Sequence, residues 1–178
     1  KVQPQLPGGV PLPTIAYWRF GLYSAYTWAW LVAGLAGRRS WRRRLAAAAA
    51  GALILTALDL AVDPVEVARG VWVWHRPGLY FGIPLQNFAG WFLTGFIMLG
   101  LFMCLDLEQP PERMTWIHHL PAFDMVPECI CYLLLSIRYG VVASGLIACA
   151  CYLPIAWFGW HAFQADMARG LARGKEST

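Results

Sequence analysis

Five apolar stretches alternate with short polar ones along this 178-residue chain, at about residues 13–35, 45–62, 87–105, 122–137 and 140–160. A helix rises 1.5 Å per residue, so stretches of this length match the roughly 30 Å hydrocarbon core of a bilayer. The pattern predicts five transmembrane helices. Between the second and third, Asp63-Pro64-Val65-Glu66 has the order of a helix start: a capping acid, proline at the first helical position and glutamate at the third. It predicts a short interfacial helix over about 64–74, with Trp72 and Trp74 as anchors at the membrane surface. His75 to Gly78 break that helix, Tyr80 to Pro84 bring the chain back, and Asn87 opens the third span. The expected fold is an all-α polytopic membrane bundle forming one domain over residues 1–178.

Composition agrees with the pattern. The chain is 58% hydrophobic and only 13% charged, with ten tryptophans, which excludes an ordinary soluble domain. The net charge of +4 comes from one basic loop and a basic tail and assigns no role to nucleic acid. The opening K-V-Q-P-Q-L-P-G-G-V-P-L-P is proline-rich and extended, has no secretory signal pattern, and reads as the continuation of upstream residues.

Basic residues orient the bundle. Arg38, Arg39, Arg42, Arg43 and Arg44 follow the first span, Arg113 follows the third, and Arg169, Arg173 and Lys175 follow the fifth. Nine basic residues then share the cytoplasmic side against four (Lys1, Arg69, Arg76 and Arg138) outside. Loop 38–44 and the C-terminal tail are expected in the cytoplasm of a bacterial inner membrane, with the Asp63–Pro84 connection on the far side.

The chemistry concentrates between Ala57 and Trp91. Two aspartates, three tryptophans, a histidine and an asparagine occupy about a fifth of the sequence, flanked by almost purely apolar chain. Polar groups beside membrane spans are costly unless they contact each other, water or a ligand. Asp59 and Asp63 stand one turn apart on one helix face. Two carboxyl groups in a poorly solvated place disfavour double ionisation, so one of them is expected to hold a proton it can donate. The structural alternatives are that Asp63 only caps and that Asp59 pairs with Arg69 or Arg76. Asn87 reads as a helix cap, or as a group orienting a water or an acid. Trp72, Trp74 and Trp91 read as packing residues, or as a slot for a flat apolar ligand whose rings stabilise a cation. His75 reads as an interfacial polar residue.

Elsewhere the signals are structural. Asp124 and Glu128 form a second acidic pair, read as the start of the fourth helix on the cytoplasmic side, a bilayer away from Asp59. His118-His119 has no neighbouring ligand set, and the two C-x-C pairs point their thiols apart on a helix. The five cysteines read as small core residues, and no metal site is expected. Nucleophile-elbow, phosphate-loop, zinc-protease and haem motifs are all missing.

Taken together, D-L-A-V-D-P, W-V-W, G-L-Y-F-G-I-P-L-Q-N-F and G-W resemble the signature of a carotenoid-biosynthesis membrane family. Its characterised members are carotenoid 1,2-hydratases acting on lycopene and γ-carotene end groups. L-P-G-G-V-P-L-P-T-I-A-Y-W also resembles the segment preceding a helix in that family. The family's upstream portion, with a glutamate and a Gly/Tyr-rich stretch, does not precede it here. The resemblance implies a cofactor-independent lyase whose partners are a carotenoid and membrane lipids. Asp59 or Asp63 would be the acid, and Asn87 or His75 would hold the water. Trp72, Trp74, Tyr80 and Trp91 would form an aromatic wall, with Gly82 and Gly90 allowing close approach of the polyene. The rival reading is a pigment-binding or structural subunit among other membrane subunits of a photosynthetic assembly.

Overall fold

The computed structural model describes residues 12–33, 40–105 and 116–175. Among the described residues, five helices make up the bundle: α1 (Leu12–Ala33), α2 (Trp41–Ala68), α3 (Leu85–Cys104), α4 (Trp116–Arg138) and α5 (Val142–Lys175). Three of them are long and apolar enough to cross a membrane, α2, α3 and the Val142–Arg169 part of α5. Arg38, Arg39 and Arg113 of the orientation argument, and the side chains of His118, His119 and Asp124, lie outside the described residues.

Helix α2 is the centre of the fold and packs against all four others. Its alanines and glycine let neighbours approach closely, which is how helices associate where lipid removes the hydrophobic drive. Leu99 of α3 and Ala25 and Ala29 of α1 close around Gly51, and Leu55 lies between Gly21 of α1 and Gly95 of α3. At the other end of this contact, the Arg44 guanidinium at the start of α2 donates to the carbonyl of Met103 at the end of α3, at 2.9 Å. A cation at a helix C-terminus satisfies an orphan carbonyl and suits the helix dipole. α2 thus runs antiparallel to α3, and by the order of its contacts also to α1.

The connection after α2 differs from the sequence expectation. There is no separate helix over 64–74. α2 continues through Pro64, and Asp63 lies inside it rather than capping a new one. Proline removes the N–H that would bond the carbonyl four residues back, here Leu60. The Tyr80 hydroxyl supplies the missing donor, bonding the Leu60 oxygen at 2.9 Å. Glu66 does not complete a capping box; its carboxylate pairs with Arg69 at 2.7 Å.

The helix ends where glycine allows it. Gly70 has φ +70°, and the amides of Gly70 and Val71 bond the carbonyls of Val67 and Glu66 at 2.9 Å each. This is a Schellman ending, which satisfies the last helical carbonyls. Trp72 and Trp74 therefore sit on the turn beyond α2. A tight return follows, closed by Gly78 N–H on Gly82 O (2.9 Å) and Ile83 N–H on Tyr80 O (2.8 Å).

Two further expectations are revised. α4 begins at Trp116, so Asp124 and Glu128 lie in its interior instead of at its start. α5 runs on to Lys175, because the tail after Trp160 is rich in Ala, Met, Leu and Arg, all strong helix formers. Of the cysteines read as core residues, Cys104 and Cys131 are exposed.

Candidate functional site

Late in α2, the residues from Ala61 to Glu66 are all buried, and Asp59 and Asp63 are only 1% and 0% exposed. A carboxylate removed from water is expensive unless hydrogen-bonded or paired with a cation. The neighbouring cation does not serve them, since Arg69 pairs with Glu66. The partner is an amide. Asn87, in the first turn of α3, donates from Nδ2 to Asp59 Oδ2 at 3.0 Å and to Asp63 Oδ2. The second oxygen of each acid, Oδ1, is buried without a hydrogen-bond partner among the described residues.

Asn87 reaches both acids because of how its helix starts. Pro84, extended at φ −65° and ψ 137°, is the N-cap of α3, so Asn87 is not the cap. Its side chain is left to face α2. Phe88, its neighbour, is buried and meets the Tyr80 ring edge-on at 5.3 Å. Tyr80 thus holds the return segment on α2 with both ring and hydroxyl. Burial pushes its phenol up to about 12, so it remains a donor at physiological pH.

An open hollow of about 410 Å³ adjoins the amide, lined by Val71, Trp72, Val73, Trp74 and Asn87. Trp72 is partly exposed, while the indole N–H of Trp74 is buried with no acceptor among the described residues. His75 is exposed on the same turn and is not a hydrogen-bond partner of either aspartate. Gly82 has a backbone reason for its identity, φ +81°, and a Cβ on Gly90 would meet nothing within 4 Å.

Trp91, one turn beyond Asn87, is stacked face to face on Trp18 of α1, centroids 4.3 Å apart and planes 7° from parallel. Trp18 ends the L-P-G-G-V-P-L-P-T-I-A-Y-W segment, but nothing in its own helix marks it as a neighbour of Trp91. Its place at the site follows only from the packing of α1 and α3 on α2.

Two buried carboxyl groups joined by one amide form a centre suited to moving a proton in an apolar setting. The molecule is an integral membrane helix bundle carrying such a centre. It belongs to the carotenoid biosynthesis protein family, which matches residues 1–162. A curated relative, the bisanhydrobacterioruberin hydratase of Haloarcula japonica, is 34% identical over 99 residues, covering 56% of this chain and 32% of that protein. The match therefore spans about a third of the relative's length. No solved structure matches.

Proposed function

We propose that this protein is a cofactor-independent hydratase adding water to the terminal C=C of a ψ-end-group carotenoid of the lycopene or γ-carotene type. The observation that carries the reading is the Asn87 amide joining Asp59 and Asp63 in a buried place.

The chemistry needs three things: a proton for one alkene carbon, a way to hold the tertiary cation left on the other, and a water to capture it. The proton comes from the acid form of the aspartate pair, whose burial disfavours two charges. Indole faces stabilise the cation. The captured water gives its second proton back to the carboxylate, so H and OH add across the double bond and the acid is regenerated. Water enters by the hollow beside Asn87 in this reading. His75, exposed on the turn after Trp74, is the second polar group proposed to hold it.

All five helices cross the inner membrane in this reading, with residues 38–44 and the end of α5 in the cytoplasm. Producing the chain in lycopene-accumulating cells tests the function. A 1-hydroxy carotenoid should appear with the native chain and vanish with Asp59→Asn. Bound pigment without product, in the native chain, would favour the pigment-binding subunit.

A further inference from the structure

The hollow adjoins Asn87, the partner of both acids. The level of the Trp18–Trp91 stack follows from counting turns. Leu55 of α2 lies between two glycines: a Cβ on Gly21 would stand 3.2 Å from one Leu55 methyl and a Cβ on Gly95 3.0 Å from the other. These three residues share one level of the bundle. α2 runs opposite to α1 and α3, so one turn toward the same end reaches Asp59 on α2, Trp18 on α1 and Trp91 on α3. A turn is about 5.4 Å in each helix. The stacked indoles therefore bridge α1 and α3 at the level of Asp59, whose Oδ1 is buried and unpartnered.

α1 and α3 otherwise meet only sparsely, since both lie on α2. Both indoles are half-buried where α1 and α3 meet, so each keeps part of its surface outside the bundle, which is lipid on the membrane reading. A flat apolar wall at a membrane-facing seam, level with an acid, fits an isoprenoid end group arriving from lipid. Indole faces pack well against a planar polyene and attract developing positive charge.

We infer that Trp18 and Trp91 form the lipid-side binding wall for the isoprenoid end group, opposite the water route past Trp72, Trp74 and Asn87. Trp18 is a substrate-binding residue on this inference, which rests on the hydratase reading for what happens after binding. Water and alkene then reach the acids from different sides. The alkene need not cross the polar hollow, and water need not cross the seam.

The test uses the full chain purified in mild detergent, with lycopene as probe. Lycopene retained per protein and hydrated product are measured separately. Trp18→Ala should reduce retention at least tenfold, whereas Asp59→Asn should bind as the native chain does and form no product. Trp18→Phe keeps a flat ring and should retain lycopene; Trp18→Leu, apolar but not flat, should not. The Phe and Leu pair decides the matter should the alanine variant fail to fold. Equal retention by Phe and Leu, or native retention by Ala, overturns the wall. A native chain that binds through Trp18 but makes no product refutes the hydratase reading and leaves the wall standing.

Discussion

The Tyr80 hydroxyl occupies the place of the N–H that Pro64 lacks, donating to the carbonyl of Leu60 at 2.9 Å. A proline inside a helix normally costs about 3 kcal/mol through the lost bond and the ring clash. Here a side chain twenty residues on from the Leu60 carbonyl makes good the lost bond. The same contact ties the return segment to the two turns of α2 that carry the acids.

That relationship predicts a thermodynamic coupling. Tyr80→Phe keeps the ring on Phe88 but orphans the Leu60 carbonyl, and should cost about 1–3 kcal/mol in unfolding. In a Pro64→Ala background the backbone N–H returns, and Tyr80→Phe should then cost about 1 kcal/mol less. Denaturant unfolding of the four proteins in one detergent measures the cycle. Additive costs would refute the substitution of one donor for the other. The phenol is raised from 10 to about 12, so its contribution is complete below pH 10 and is lost as pH climbs through about 12.

Asp63 inside α2 changes what an amide there should do. As a cap it would accept asparagine freely; as half of the buried pair it should not. Asp59→Asn and Asp63→Asn are each expected to lower hydrated product by about 10² or more, the ordinary worth of a positioned acid or base. Asn87→Leu removes the shared donor from both acids and should reduce product similarly while costing about 2 kcal/mol of stability. Product quantified by chromatography, beside circular dichroism for folding, checks all three. Full activity in both aspartate variants would remove the diacid from the mechanism.

Topology can be read by labelling single cysteines in a chain cleared of its own five. Ser40 and Leu79 are suitable positions, both exposed and Leu79 94% so. Gly78 is not, because a Cβ there would run into the Ile83 carbonyl. Position 79 should react with an impermeant maleimide from outside intact cells and position 40 only after lysis. Reaction of both from the same side would exclude the proposed orientation.

Much of the site was legible in the chain. Asp59 and Asp63 fall on one helical face, and Asn87 follows in the next span, so their meeting needed only an antiparallel pair. The turn between them was misread for a definite reason. Asp63-Pro64-Val65-Glu66 satisfies every local rule for a helix start, and the signal against it is Tyr80, well beyond the motif. Gly70 was the better local clue, since a glycine so placed ends a helix. Asp124 and Glu128 were misplaced in the same manner, as acids taken for a boundary. Trp18 ends the L-P-G-G-V-P-L-P-T-I-A-Y-W segment, but its level relative to Asp59 is set by small residues on three helices and is not written there.

The Tyr80 and Asn87 contacts have a consequence for how this segment tolerates changes in length. Tyr80 must reach Leu60, and Asn87 must reach Asp59 and Asp63. Seven steps of chain separate the two grips, and both land on the same stretch of α2. One residue inserted within α3 before Asn87 would swing the amide about 100° around its helix axis, away from the acids. An insertion in the exposed turn at 75–77 lies outside both grips and is absorbed as slack. Variation in loop length should therefore collect before Gly78, while the spacing from Tyr80 to Asn87 behaves as a fixed gauge.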